Sequence, residues 1–108
     1  MAERAIPVLR VAHADVALPW YRLLGFEEQW RHQFDPGFPV FVSVQRGDVE
    51  LYLSEHEGDA VPGTLVWLRV DEFDDLVQAA GARTRDQPWG AEIQLTDPDG
   101  NRLRIGPA

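Results

Sequence analysis

The strongest constraint on the fold of this chain is an order of elements that is predicted twice: a strand, a helix and three strands. Residues 4–54 carry it first, and residues 64–106 carry it again after a polar linker at residues 55–63. A short match supports the repeat, because Val-Leu-Arg-Val at residues 8–11 is answered by Trp-Leu-Arg-Val at residues 67–70. The sequence therefore predicts a single α+β domain, residues 1–108, built from two modules.

In the first module, residues 6–11 predict a strand with Pro7 near its start. A missing N–H donor is tolerated there if the strand lies at a sheet edge or is an arm exchanged with another chain. Asp15 is expected to cap the following helix and Gly25 to end it in a left-handed conformation. The apolar residues of this helix recur at helical spacing, at Val16, Trp20, Leu23 and Leu24. Three strands complete the module, at residues 26–34, 38–46 and 49–54.

The second module repeats this order with a strand, a helix ended by Gly81, and three further strands, at residues 64–70, 72–80, 83–87, 91–96 and 101–105. The last two strands are joined by Asp97-Pro98-Asp99-Gly100. Proline fixes φ in such a turn, and glycine supplies the positive φ that the chain needs to reverse. We expect this hairpin to close the domain.

Composition excludes several classes of partner. The formal net charge of −8 argues against binding a phosphate backbone, which requires an excess of basic residues. The absence of cysteine excludes disulfides, thiolate metal sites and a cysteine nucleophile. No run approaches the ~18 apolar residues of a membrane span, and residues 1–4 do not lead into the apolar core of a signal peptide. We therefore expect a cytoplasmic protein with no nucleic acid and no membrane partner.

Alternation along the predicted strands separates two faces. One face is apolar and is expected to cover the helices: Leu9, Val11, Val40, Val42, Val44, Val49, Leu51, Leu53, Val66, Leu68, Val70, Ile93, Leu95, Leu103 and Ile105. The other face, called the mixed face below, carries aromatic side chains together with charges of both signs. Because a solvated face rarely holds Phe41, Tyr52 and Trp67 beside such charges, we predict that the mixed faces line a ligand cleft.

Motifs spread over nearly the whole chain point to a family. They are Ile-Pro-Val-Leu at 6–9, Leu-Gly-Phe-Glu at 24–27, Arg-Gly-Asp-Val-Glu-Leu-Tyr-Leu-Ser at 46–54, Trp-Leu-Arg-Val at 67–70 and Asp-Pro-Asp-Gly-Asn at 97–101. In these motifs the chain resembles the vicinal oxygen chelate superfamily, which includes the glyoxalases, the bleomycin resistance proteins and the extradiol dioxygenases. The resemblance implies two βαβββ modules whose curved mixed sheets surround a cleft.

Members of this superfamily usually hold a divalent metal through His and Glu at set places on the strands. The resemblance places those positions at Ile6, Leu65 and Arg104 in this chain. An aliphatic side chain donates no lone pair, and a guanidinium is a fixed cation that repels a metal. We therefore expect no metal and no other cofactor.

Among the branches, the chain is most similar to the bleomycin resistance proteins, small acidic proteins that protect by sequestering a drug. This similarity implies metal-independent binding of a drug, such as a cationic antibiotic, or of a metabolite, without chemistry. It also implies a homodimer with ligand clefts between the subunits. The N-terminal strand of such relatives can cross to the partner, and Pro7 would then act as a stiff hinge.

Candidate ligand-binding residues lie on the mixed faces and at strand ends. They are Trp30, His32, Phe34, Phe41, Glu50, Tyr52, Trp67, Arg69, Trp89, Glu92, Arg102 and Arg104. Aromatic rings paired across a cleft can sandwich a planar or cationic group. Two alternatives remain open for Glu50 and Glu92: each holds the cation of a ligand, or each pairs with an arginine of the mixed face.

A rival hypothesis is a lyase, isomerase or dioxygenase-like enzyme that acts on a small carbonyl substrate. In that case His32 or Glu92 would act as the general base, and Arg102 or Arg104 would polarise the carbonyl. The other two histidines, His13 and His56, are interpreted as solvent-exposed loop residues. A third hypothesis is an interaction module that has kept the fold and binds no ligand.

Overall fold

The computed structural model describes residues 3–108, and its elements follow the predicted order twice. The first module contains β1 (Val8–Arg10), α1 (Ala14–Leu23), β2 (Glu27–Gln33), β3 (Val40–Arg46) and β4 (Val49–Ser54). The second contains β5 (Leu65–Val70), α2 (Phe73–Ala80), β6 (Arg85–Gln87), β7 (Gly90–Thr96) and β8 (Arg102–Pro107). The predicted α+β fold of two βαβββ modules is confirmed.

Each module forms a four-stranded mixed sheet. The strand orders are β1-β4-β3-β2 and β5-β8-β7-β6, so the two sheets have the same topology. The first strand of each module lies at an edge and pairs in parallel with the last, which sets Leu9 beside Leu53 and Leu68 beside Ile105. The remaining pairs are antiparallel. Strand β1 thus takes the predicted edge position and pairs within its own chain.

One hydrophobic core joins both modules, and it is formed by the face predicted to be apolar. Eight of its aliphatic side chains are completely buried in the strands: Leu9, Val42, Val44, Leu51, Leu53, Ile93, Leu103 and Ile105. Burying one such side chain stabilises the fold by about 1.5–3 kcal/mol relative to leaving it exposed. Val49 and Leu95, predicted for the same face, are only partly buried and pack against this core.

The first turn of α1 is capped differently from the sequence prediction. Asp15 is not the cap, because the N-cap position is His13, whose side chain makes no capping hydrogen bond. Instead the Glu55 carboxylate, just after β4, accepts hydrogen bonds from the backbone N–H of Ala14 at 2.7 Å and of Val40 at 2.9 Å. A carboxylate at a helix N-terminus is stabilised by the free N–H groups there.

Helix ends follow the glycine signals. Gly25 has φ +93°, and its N–H and that of Phe26 donate to the carbonyls of Arg22 and Tyr21, which closes α1 as predicted. Gly81, with φ +61°, ends α2 in the same way. At the other end, α2 begins at Phe73 instead of residue 72, because Glu72 adopts a left-handed conformation with φ 54°. Within the described residues, no helix is long and apolar enough to cross a bilayer.

The turn between β7 and β8 is organised around a buried carboxylate. Oδ1 of Asp97 accepts hydrogen bonds from the backbone N–H groups of Asp99 and Asn101, each at 2.8 Å. Oδ2 accepts from the Tyr21 hydroxyl at 2.7 Å and from the Asn101 side chain at 3.0 Å. The carboxylate is therefore satisfied at four points, which is what a buried acceptor requires.

The same turn also connects the two modules. The Asn101 side chain donates to the carbonyl of Arg10 at 2.8 Å and accepts from the N–H of Thr64 at 3.2 Å. The Asp99 carboxylate accepts from the N–H of Ala12 at 2.8 Å. The Asp-Pro-Asp-Gly-Asn motif thus holds the start of each module in place. These hydrogen bonds explain how the hairpin closes the domain, as the sequence predicted.

Candidate functional site

The candidate residues fall into two groups, one on the mixed face of each sheet and its flanking loops. The first-sheet group contains Trp30, His32, Phe34, Phe41, Glu50 and Tyr52, and the second-sheet group contains Trp67, Arg69, Trp89, Glu92, Arg102 and Arg104. Every ring contact, hydrogen bond and ion pair that these side chains make within residues 3–108 stays in the same sheet and its flanking loops. The structure therefore brings the candidates together as two half-sites.

A bulge in β2 places Trp30 on the mixed face. Glu28 lies opposite Val44, but the register then shifts at Gln29, so that Trp30 lies opposite Ser43. Without the extra residue, strict alternation would put Glu28 and Trp30 on the same face. The bulge leaves Glu28 on the helix side, where it pairs with Arg31 at 2.8 Å.

Trp30, Phe41 and Tyr52 form the aromatic cluster of the first half-site. The rings of Trp30 and Phe41 are stacked, with centroids 6.0 Å apart and planes inclined by 15°. Tyr52 lies 5.4 Å from Trp30 and 4.9 Å from Phe41 in tilted orientations. Trp30 remains 45% exposed. The cluster therefore offers a free aromatic surface to a planar group.

A cavity of about 420 Å³ lies against this cluster, and two of its lining residues were not predicted from the sequence as ligand-binding residues. Its lining is Trp30, His32, Phe34, Phe41, His56 and Asp59. His56 is half-buried and its ring lies 6.2 Å from that of Phe34, so its interpretation as an exposed loop residue was wrong. The Asp59 carboxylate accepts a 2.6 Å hydrogen bond from the Ser54 hydroxyl. Both come from the linker, whose polar composition gives no signal for a site.

Glu50 lies on the mixed face next to the aromatic cluster. Its carboxylate is almost fully buried, and Oε2 accepts a 2.6 Å hydrogen bond from the Ser43 hydroxyl. Ser43 is the residue opposite both Trp30 and Tyr52 in the sheet register. Oε1 lies 2.8 Å from Nη2 of Arg4. The partner of Glu50 is thus none of the mixed-face arginines that the sequence suggested.

Glu92 forms the ion pair that the sequence left open. Its side chain is completely buried, and Arg104 donates two hydrogen bonds of 2.8 Å to it, one to each oxygen. The Trp89 indole N–H adds a third bond at 2.9 Å. Hydrogen bonding to Arg104 lowers the pKa of Glu92 to about 2. A carboxylate held in this ionised state accepts protons poorly, which disfavours Glu92 as a general base.

The second half-site combines tryptophans with arginines. The guanidinium of Arg69 lies 5.1 Å from the centre of the Trp67 ring, and that of Arg104 lies 5.6 Å from Trp89. Arg102 is exposed on the same face. The Trp67 ring covers Gly106, where an added Cβ would lie 2.7 Å from Cη2 of Trp67. Sequence reasoning missed Gly106, because only the β5 and β8 register places it beside this ring.

The positions at which the resemblance implies metal ligands do not fit a divalent metal here. Ile6 and Leu65 offer hydrocarbon, and the guanidinium of Arg104 is engaged by Glu92. Within residues 3–108, no group of three or more His, Cys, Asp or Glu is arranged to hold a metal ion. These three side chains have no free lone pair to donate, so they cannot replace the water ligands of a divalent cation.

A family model and several solved structures match this chain over nearly its whole length. A family model described as glyoxalase superfamily protein matches residues 1–107. A bleomycin-binding protein solved in complex with bleomycin is 25% identical, with a TM-score of 0.75 and 99% of each chain covered. A bleomycin resistance determinant encoded on transposon Tn5 is 27% identical, with a TM-score of 0.72 and 96% of each chain covered.

A third solved structure is the bleomycin-binding protein from the bleomycin producer Streptomyces verticillus, in complex with copper(II)-bleomycin. It is 26% identical, with a TM-score of 0.70, and the match covers 100% of this chain and 99% of that one. A search of curated proteins found no match.

Proposed function

The chain belongs to the glyoxalase superfamily, and we propose that within it the protein is a metal-independent binder that sequesters a planar, cationic small molecule. The proposed ligand is a drug of the bleomycin kind or a metabolite that shares its aromatic and cationic parts. Binding takes place in the cytoplasm and makes or breaks no bond. Support comes from the similarity over the full length to bleomycin-binding proteins of 25% and 26% identity.

The observation that carries this proposal is the aromatic cluster with a carboxylate at its border. Trp30 and Phe41 are stacked beside a cavity of about 420 Å³, and Glu50 lies on the same face. Flat rings attract a planar group by stacking and a cation through their π-faces. A largely desolvated carboxylate adds a stronger attraction for the same cation than it would exert in water. These features favour a binding role over acid–base chemistry.

A homodimer is part of the proposal. Several large apolar side chains of the mixed faces and the adjoining loops are exposed: Trp30, Phe34, Phe38, Leu65 and Trp89. The first half-site carries Glu50 and Asp59, whereas the second carries Arg69 and Arg102. A second copy that sets its second sheet against the first sheet would cover the apolar groups and pair opposite charges. The ligand cleft would then lie between the subunits.

The experiment that tests this function is a tryptophan-fluorescence titration of the purified protein with metal-free bleomycin in the presence of a chelator. We expect a saturable change near one ligand per subunit, because Trp30 lies in the proposed cleft. Native mass spectrometry of the same sample should show a dimer that carries the ligand. No response to bleomycin or to other planar cationic antibiotics, in a sample that retains its fold, would contradict the proposal.

A further inference from the structure

One oxygen of Glu50 differs from every other buried polar side-chain atom in residues 3–108. It is Oε1, and it alone has no hydrogen bond. The other oxygen, Oε2, is bonded to Ser43 at 2.6 Å. The side chain as a whole is only 6% exposed, so water does not replace the missing donor readily. A buried carboxylate oxygen in this condition is costly to the fold and binds a suitable donor favourably.

The only cation near this oxygen belongs to Arg4, among the described residues. Nη2 of Arg4 approaches Oε1 to 2.8 Å, but not in a hydrogen-bonding orientation, and the Arg4 side chain is 62% exposed. Arg4 precedes β1, and in residues 3–7 the backbone is held by one hydrogen bond, from the N–H of Tyr52 to the carbonyl of Pro7 at 2.9 Å. The arginine end of this ion pair is exposed, so solvent screening and the lost rotamer freedom of the long Arg4 side chain weaken the pair.

We propose that Glu50 is the subsite for the cationic group of the ligand and that Arg4 occupies this subsite in the free protein as an internal competitor. This inference rests on the proposed function, since it assigns a regulation to the same site. An amidinium or guanidinium whose ring stacks on the aromatic cluster can aim two N–H groups at the carboxylate. Arg4 reaches the carboxylate from outside and achieves no such alignment.

The consequence of this arrangement is a measurable competition. A ligand binds only those molecules in which Arg4 has left Glu50, so its apparent affinity is reduced by the fraction that is free. Removing the Arg4 charge should raise the affinity for cations and leave the affinity for neutral molecules of the same shape unchanged. Removing the Glu50 charge should abolish the preference for cations. These two effects distinguish a competed subsite from general attraction by the acidic surface.

The test compares the binding of benzamidinium, the cationic probe, with that of benzamide, its neutral isostere. Binding is measured in titrations from the changes in the backbone amide chemical shifts of residues near Ser43 and Glu50. In Arg4→Gln we expect benzamidinium to bind at least about threefold more tightly than in the wild type, with benzamide unchanged. Arg83→Gln is the matched control, because Arg83 is exposed and the same charge is removed. An Arg4→Gln variant that binds benzamidinium no better than Arg83→Gln does would overturn the inference.

The complementary variant is Glu50→Gln, which keeps the shape of the side chain and its acceptor for Ser43. We expect it to bind benzamidinium and benzamide equally, whereas the exposed control Glu57→Gln retains the preference for the cation. A retained preference in folded Glu50→Gln would overturn the inference, and Arg4→Gln decides the question if Glu50→Gln does not fold. Benzamidinium binding at Glu50 without any bleomycin binding would instead refute the proposed drug class and leave the subsite intact.

Discussion

The hydroxyl of Tyr21 donates a 2.7 Å hydrogen bond to Oδ2 of Asp97, and this bond joins helix α1 of the first module to the last turn of the second. Tyr21 is completely buried, and Asp97 is 4% exposed. Burial first, and then the Asp97 carboxylate, raise the pKa of Tyr21 well above its usual range. The Asp-Pro-Asp-Gly-Asn motif therefore has a structural role in this chain, which the following predictions use.

Replacing Tyr21 by Phe removes this bond and leaves the rest of the ring in place. We expect Tyr21→Phe to lower the free energy of unfolding by about 1–2 kcal/mol, because a buried carboxylate loses a donor. Urea denaturation would measure the change. Tyr52→Phe is the matched control, since the Tyr52 hydroxyl makes no side-chain hydrogen bond within residues 3–108. Equal effects of the two substitutions would contradict this prediction.

Alkaline pH should destabilise the protein through the same residue. The unfolded chain releases the Tyr21 proton above pH about 10, whereas the folded chain retains it because its pKa is raised. The unfolded state then binds fewer protons, so the free energy of unfolding falls as pH rises above that value. The chain contains no lysine, so no lysine titrates in this range. In Tyr21→Phe, the pH profile measured by urea denaturation should be flatter above pH about 10.

Acidic pH should weaken the second half-site through Glu92. The folded pKa of this residue is about 2, because Arg104 donates to both of its oxygens. An ordinary Glu in the unfolded chain has a pKa of about 4.3. The stabilisation by Glu92 is therefore complete above that value and is lost as pH falls toward 2.

Glu92→Gln tests this assignment, because the amide keeps the shape and cannot titrate. We expect a lower thermal midpoint at pH 7 and a shallower loss of stability between about pH 4.3 and 2 than in the wild type. Glu57→Gln, at an exposed position, should leave the acid profile as it is. An unchanged acid slope in Glu92→Gln would show that other carboxylates cause the acid sensitivity.

Trp30 is the most exposed ring of the aromatic cluster and should contribute to binding more than to folding. We expect Trp30→Ala to weaken the binding of metal-free bleomycin by about three- to tenfold, which is the usual worth of one aromatic pair. Isothermal titration calorimetry avoids the loss of the fluorescent reporter. Val16→Ala, which removes an exposed apolar side chain on helix α1, should bind like the wild type.

Gly106 leaves room for the ring of Trp67, and a methyl group there has no space. A Cβ would lie 2.7 Å from Cη2 of Trp67 and 3.1 Å from the carbonyl oxygen of Ala91. We expect Gly106→Ala to cost about 1–3 kcal/mol of stability by overpacking, measured by urea denaturation. The double variant Gly106→Ala with Trp67→Leu should recover part of this loss. If it recovers nothing, the backbone contact at Ala91 is the dominant clash.

Local patterns predicted the order of the elements well, because they depend on residues that are near in sequence, but the apolar pattern of α1 did not identify its buried face, since Val16 and Leu23 are exposed. Gly25 and Gly81 end their helices as expected, and the alternation in β3 and β4 assigned the buried face correctly. The cap of α1 was predicted wrongly for the converse reason. Its true partner, Glu55, lies 41 positions from Ala14 along the chain, and no helix-start signal extends so far.

The sequence by itself determined the repeated module, the apolar face of the sheets and the family, because short motifs or the alternation along the strands are enough to predict each of them. From the sequence alone, Glu50 and Glu92 have the same two alternatives, because both are glutamates on the mixed face of a strand. Only the tertiary structure decided between them. Sheet register brings Arg104 against Glu92 from the adjacent strand, whereas Glu50 meets Ser43 and an exposed arginine. The Glu92 carboxylate is therefore fully hydrogen-bonded, whereas Oε1 of Glu50 has an exposed arginine at 2.8 Å but no hydrogen bond.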